Sequence, residues 1–177
     1  MCGILGAVLK TRGGFCKRTE DAFFEMLYAG ALRGFDSTGI IGTQKDGSFG
    51  IAKEANEAAW VVPQLKGAAI SKDMWQSGVA YIGHNRKKTV GKIEDETAHP
   101  FVIDNTFAMV HNGTLYNHQQ LAKTDVDSEA LAIVLKPCFE QADYIPALEE
   151  QLGKVCGAYA IAAYEQKSHR VFLLRNK

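Results

Sequence analysis

The chain opens Met1-Cys2-Gly3-Ile4, and Cys2 is its most chemically loaded residue. A small residue after the initiator methionine lets an aminopeptidase remove Met1. Cys2 would then carry a thiol and a free α-amine together. The thiolate is a nucleophile. An α-amine has a reference pKa of about 7.7–8.0, so it can take or give a proton near neutrality. One residue then supplies both nucleophile and base, as an N-terminal threonine does. Many chains begin Met-Cys without consequence, so the dipeptide needs company.

Four further segments supply it. Arg33-Gly34-Phe35-Asp36-Ser37-Thr38-Gly39 sets two glycines among charged side chains, and Arg33 and Asp36 can tie such a loop by charge-assisted hydrogen bonds. Taken alone it reads as a structured turn. Gly83-His84-Asn85-Arg86-Lys87-Lys88-Thr89-Val90-Gly91 begins where a strand is expected to end. Arg86 offers a planar fork for a carboxylate and Thr89 a hydroxyl, although a solvated basic loop explains the segment equally simply. His99-Pro100-Phe101 is followed by His111-Asn112-Gly113-Thr114-Leu115-Tyr116-Asn117. The Asn112 amide and the Gly113 N–H could form an oxyanion hole, yet Asn-Gly after a strand is also a strong hairpin-turn signal, and the local pattern favours the turn. In Asp127-Ser128-Glu129, Asp127 reads most simply as a helix N-cap; a carboxylate for a ligand's ammonium is the sharper alternative.

Composition narrows the field. The 177 residues suit one domain, with 46% hydrophobic and 23% charged residues. Lys+Arg and Asp+Glu number 20 each, which suggests neither a nucleic-acid nor an anionic-membrane partner. No signal peptide or apolar membrane span is visible, so a cytoplasmic location is expected. Cys2, Cys16, Cys138 and Cys156 are too scattered for a disulfide framework, and Cys138 and Cys156 read as buried thiols in apolar company. His84, His99, His111, His118 and His169 show no metal-ligand spacing, so neither a metal nor another cofactor is expected.

The elements that must position these residues are legible in outline. Strands are expected over Ile4–Lys10, Thr38–Gln44, Phe49–Lys53, Val79–Ile82, Thr106–His111, Ala158–Glu165 and Val171–Leu174. A helix should start near Thr19, bury Phe23, Phe24, Met26, Leu27, Ala31 and Leu32, and end at Gly34. Further helices are expected over Glu57–Leu65, broken by Pro63, then after an Asn117 cap, from Asp127 to about Leu135 with a stop near Pro137, and over Ile145–Leu152. Turns are expected at Thr11–Gly14, at Asp46-Gly47 and around Lys167-Ser168. This order lacks the alternation of a doubly wound parallel sheet and points to α+β with mainly antiparallel sheets.

Taken together, these segments resemble the glutaminase domain of class II glutamine amidotransferases, members of the N-terminal-nucleophile hydrolases. The likeness runs through Met1–Ile4, Arg33–Gly39, Gly83–Gly91, His99-Pro100, His111–Asn117, Asp127–Glu129 and Gly157-Ala158-Tyr159-Ala160, in family order over nearly the whole chain. It implies a four-layer αββα sandwich of two mainly antiparallel sheets. It implies Cys2 as nucleophile, with the Asn112 side chain and Gly113 N–H as oxyanion donors. Arg86 and Thr89 would hold the α-carboxylate of L-glutamine and Asp127 its α-ammonium, with Arg33, Asp36, His84 and His111 supporting the site. The expected reaction is hydrolysis of glutamine to glutamate and ammonia, the ammonia going to a separate acceptor synthase. Asn85, Lys87-Lys88 and Val90 depart from the family's Gly-His-Thr-Arg-Trp-Ala-Thr-His-Gly loop, and the chain stops soon after Arg175-Asn176, giving the expectation of one minimal, free-standing domain over 1–177. An amidohydrolase for another amide, or a silent binding module of the same fold, are the rival readings.

Overall fold

A computed structural model describes residues 1–9, 14–44, 46–67, 77–89 and 92–176. Positions 11–13 of the turn expected at Thr11–Gly14 and the loop positions 90–91 lie outside the described residues. Two compact units emerge. One comprises Met1–Lys88 with Ile93–Pro100, the other Thr89–Lys92 with the chain from Phe101 onward.

The first unit is built on strands β1 (Gly3–Val8), β2 (Ser37–Gln44), β3 (Phe49–Glu54) and β4 (Gly78–Arg86), in the order β1-β4-β2-β3 and antiparallel throughout. Helices α1 (Lys17–Ala29) and α2 (Ala58–Gly67) accompany the sheet. Phe23, Phe24, Leu27, Ile40, Val61 and Tyr81 form its core. Leaving water is the main force holding such a cluster together.

Several local expectations give way here. Helix α1 starts at Lys17, two residues before Thr19, and gives way at Gly30–Leu32 to a single tight turn rather than running to Gly34. Phe23, Phe24 and Leu27 make a narrow buried stripe; Met26 is off that stripe and Leu32 beyond the helix end, so both are exposed. Pro63 does not break α2, because Val61, Val62 and Leu65 around it are buried in the core and outweigh one lost backbone hydrogen bond. Strand β4 runs on through His84, Asn85 and Arg86, since Ser37, Thr38 and Gly39 of β2 continue to pair with them.

The second unit carries β5 (Phe101–Ile103), β6 (Phe107–Leu115), β7 (Gly157–Glu165) and β8 (Arg170–Arg175) in consecutive antiparallel order. A four-residue helix α3 (His118–Leu121) precedes the longer α4 (Asp127–Phe139) and α5 (Tyr144–Gly153). Phe107, Met109, Leu131, Leu135, Phe139 and Ile161 anchor this core. Helix α4 passes through Pro137 because Leu135, Cys138 and Phe139 are buried on either side of it. Asn117 does not cap α3 with its side chain; its Nδ2 donates to Lys154 O at 2.8 Å and its Oδ1 accepts the Cys156 N–H at 2.9 Å. Cys138 is buried as expected, whereas Cys156 is exposed just before β7 begins. No described helix is long and apolar enough to cross a membrane.

Each unit is thus an antiparallel sheet with helices, and the α+β class with two mainly antiparallel sheets stands.

Candidate active site

The sequence-predicted residues fall into two groups, one in each unit. In the first, β1 pairs with β4 in the register Gly3↔Asn85 and Ile4↔His84. Continuing that register by one residue sets Cys2 at the end of β4, beside Arg86. Cys2 is buried, and its Sγ lies 3.2 Å from the Lys87 backbone N, which donates to it, and 3.5 Å from Lys87 O. Arg33 Nε donates to the Cys2 carbonyl at 3.0 Å. Asp36 Oδ2 accepts the Lys88 N–H at 2.7 Å and lies 3.8 Å from Lys87 Nζ. Arg33 and Asp36 therefore do tie the loop, through Cys2 and through residues 87–88.

Gly34 explains why this loop can lie so close. A Cβ there would come within 2.4 Å of Arg86 C, 2.6 Å of Arg86 O and 2.6 Å of Lys87 N. Only a residue without a side chain lets the two backbones touch. Arg86 is buried, and its Nη1 donates to Thr97 Oγ1 at 2.9 Å. Thr89, three residues on, lies in an exposed bend. His84 is buried against His99, the ring centroids 3.9 Å apart at a tilt of 34°. Asn85 is fully buried beside Gly3 and Gly30, where a Cβ at Gly30 would meet its Oδ1 at 2.0 Å.

The second group is organised by β6. The expected turn at Asn112-Gly113 does not form: both residues are paired within the strand, Asn112↔Ala160 and Gly113↔Tyr159. The cross-strand pairing of nine consecutive residues overrides the local turn preference. Tyr159 exchanges its backbone groups with Asn176 instead, its N–H going to Asn176 Oδ1 at 3.0 Å and its C=O accepting the Asn176 N–H at 3.3 Å. Opposed residues of an antiparallel pair alternate between bonded and non-bonded pairs, so Gly113 directs its N–H away from β7. Strand β5 covers only Phe107–Met109 on that side. A Cβ on Gly113 would fall 1.9 Å from Ala158 O and 2.6 Å from His111 Nε2.

Asp127 is the first residue of α4 rather than its N-cap, which is Val126. Its buried carboxylate accepts the Leu115 N–H at 3.0 Å through Oδ2 and the Ser128 N–H at 2.9 Å through Oδ1. Ser128 Oγ in turn bonds His111 Nδ1 at 2.8 Å. Burial pushes the His111 imidazole below its ordinary pKa, while the Asp127 carboxylate and the Ala158 backbone pull the other way. The chain Leu115, Asp127, Ser128, His111 thus locks the helix start to the strand carrying Asn112 and Gly113.

Ser128, Thr97 and Lys87 belong to these networks but were given no site role by sequence reasoning. Ser128 was within sight, lying between Asp127 and Glu129. The Lys87 contacts to Phe35 and Asp36 span some fifty positions and leave no local pattern. Among the described residues no cluster of His, Cys, Asp and Glu could hold a metal ion.

The chain belongs to the glutamine amidotransferase domain family, which matches residues 66–177. It is 30% identical to the glutamine–fructose-6-phosphate aminotransferase (isomerizing) of Thermus thermophilus over 186 aligned positions, covering 99% of this chain and 28% of that protein. The enzyme of the same name from Sulfurisphaera tokodaii is 28% identical, again over 99% of this chain and 30% of its own length. The chain therefore spans under a third of the curated relatives it matches. The solved structure of glutamine phosphoribosylpyrophosphate amidotransferase from B. subtilis, complexed with ADP and GMP, superposes with a TM-score of 0.66 at 21% identity, covering 99% of this chain and 36% of that one. That likeness shows the fold.

Proposed function

We propose that this chain is a glutaminase module that hydrolyses L-glutamine to glutamate and ammonia through a thioester on Cys2. The observation that supports the reading is the β1·β4 register, Gly3↔Asn85 and Ile4↔His84, which, continued by one residue, sets Cys2 opposite Arg86 at one strand end. With Met1 removed, the Cys2 thiolate attacks the side-chain amide carbon of glutamine. The new oxyanion takes hydrogen bonds from the Gly113 N–H and the Asn112 amide. The Cys2 α-amine passes a proton to the departing nitrogen, and ammonia leaves. Water then adds to the thioester, glutamate departs and the thiol is restored. Arg86 and Thr89 receive the α-carboxylate, and Asp127 the α-ammonium. Asp127 suits that role because Oδ1 accepts from the Ser128 N–H and hydroxyl while Oδ2 accepts only the Leu115 N–H and keeps a lone pair.

The relatives' names join glutamine to fructose 6-phosphate. In this reading the ammonia passes to an acceptor synthase. The test is the intact mass of purified protein before and after a diazo-ketone analogue of glutamine. Loss of Met1 and one adduct, absent from Cys2→Ala, is the expected result. A processed chain that takes no label, or Cys2→Ala that keeps full glutaminase activity, overturns the reading.

A further inference from the structure

Strand pairing holds β4 only as far as Arg86, opposite Ser37, and Asp36 N–H adds one more bond to Arg86 O at 3.0 Å. Lys87 is the next residue and lies beyond the ladder, yet it is the residue whose backbone meets the Cys2 sulfur. Its side chain turns back onto the Arg33–Asp36 loop. Lys87 Nζ sits 4.1 Å from the centroid of the Phe35 ring and 3.8 Å from Asp36 Oδ2. Phe35 is 55% exposed, so a large ring stands in solvent with the lysine stem and ammonium over it. An ammonium over an aromatic face is held by the ring quadrupole, and the carboxylate beside it adds Coulomb attraction. The same Asp36 oxygen also takes the Lys88 N–H, so the anchor grips two successive residues.

We infer that Lys87 is a positioning residue for Cys2: its side chain, anchored on Phe35 and Asp36, holds its own backbone amide against Cys2 Sγ. The inference rests on the reading of Cys2 as nucleophile. The contact serves both forms of the sulfur. The thiol donates to Lys87 O, and the thiolate accepts from Lys87 N–H, a hydrogen bond that favours the charged form. Arg33, from the same loop, fixes the Cys2 carbonyl, so one loop holds both sides of the contact.

The test is the rate of Cys2 alkylation by iodoacetamide as a function of pH, on the full chain with Met1 removed, read on the N-terminal peptide by mass spectrometry. Lys87→Met keeps the stem and deletes the charge. Asp36→Asn deletes the anchor and leaves the lysine charge. Phe35→Leu removes the ring from an exposed position and gives a route that does not depend on either charged variant folding. All three should raise the alkylation midpoint, Lys87→Met and Asp36→Asn by about one pH unit and Phe35→Leu by less, while Lys87→Arg should restore it to within a few tenths. The Asp36→Asn result is diagnostic. Removing a negative charge near a thiolate would by itself lower the midpoint, so a rise reports the lost anchor. Unmoved midpoints, or a rise in Lys87→Met with none in Asp36→Asn, overturn the inference. Ammonia release from glutamine is assayed on the same samples. A wild-type chain with these alkylation shifts but no ammonia release overturns the glutaminase reading alone, and ammonia release with unmoved profiles overturns the anchoring alone.

Discussion

Asp127 Oδ2 accepts the backbone N–H of Leu115 at 3.0 Å, so the first residue of α4 is bonded to the strand that carries Asn112 and Gly113. One carboxylate is therefore both a structural acceptor and the proposed partner of a substrate ammonium. Its two roles separate by substitution. Asp127→Asn can keep an oxygen toward the Leu115 N–H while losing the charge. Its KM for glutamine should rise on the order of 10- to 100-fold, the value of a hydrogen bond to a charged group. Asp127→Ala orphans a buried N–H as well and should lose a further ~1–3 kcal/mol of stability in urea unfolding. Equal stability of the two variants would remove the structural role.

Gly113 and Asn112 should likewise part company. A Cβ on Gly113 would sit 1.9 Å from the Ala158 carbonyl oxygen, and a paired strand has no room to yield. Gly113→Ala should cost about 1–3 kcal/mol or more in stability. Asn112→Ala, at a partly exposed position, should fold normally and lose on the order of 10²–10³ in kcat as an oxyanion donor. Ammonia release and thermal melting on both variants check the pair. Full activity in Asn112→Ala would take that side chain out of the reaction.

How these residues were and were not readable from the sequence follows from the range of the forces involved. The hairpin of β2 and β3, the closing strands β7 and β8 and the helix at 144–153 rest on local patterns, and those patterns were legible. Asn112-Gly113 misled because turn preference is a local energy of modest size, whereas the β6·β7 ladder is assembled from residues nearly fifty positions apart. Pro63 and Pro137 misled for the same reason, as burial of Val62, Leu65 and Phe139 is decided by tertiary packing. Asp127 was seen as a polar group at a helix start, but its acceptance of the Leu115 N–H needs two elements to meet. The short strand β5, only three residues long, has no periodicity to detect.

His111 gives a pH dependence with a defined sign. Burial lowers its folded pKa, so the unfolded chain binds the proton more readily. Stability is then full above the unfolded value of about 6.5 and falls as pH drops below it, until the folded imidazole also protonates. The slope contributed by this one group should approach but not exceed ~1.4 kcal/mol per pH unit. His111→Asn, which can still hydrogen-bond Ser128, should flatten the difference measured by urea unfolding between about pH 7 and pH 5. An unchanged slope would mean that the loss of stability in acid comes from other groups.

Gly34 makes the last case, because it isolates backbone contact from side-chain chemistry. Its nearest neighbours are the carbonyl carbon and oxygen of Arg86 and the amide nitrogen of Lys87, all closer than 3 Å to where an alanine methyl would stand and none of them able to rotate away. Gly34→Ala must push the Arg86–Lys87 peptide outward, and that peptide carries the N–H which meets Cys2 Sγ. The variant should therefore alkylate Cys2 more slowly at pH 7, with the melting temperature lowered by several degrees for a cost of about 1–3 kcal/mol. Gly153→Ala is the matching control. That glycine is the last residue of α5, a Cβ there meets nothing within 4 Å, and alanine should raise stability by up to about 1 kcal/mol while leaving the Cys2 alkylation rate unchanged. If the two alanine variants alkylated Cys2 at the same rate, the Arg33–Asp36 loop would have no hold on Cys2, and its close approach to β4 would serve packing alone.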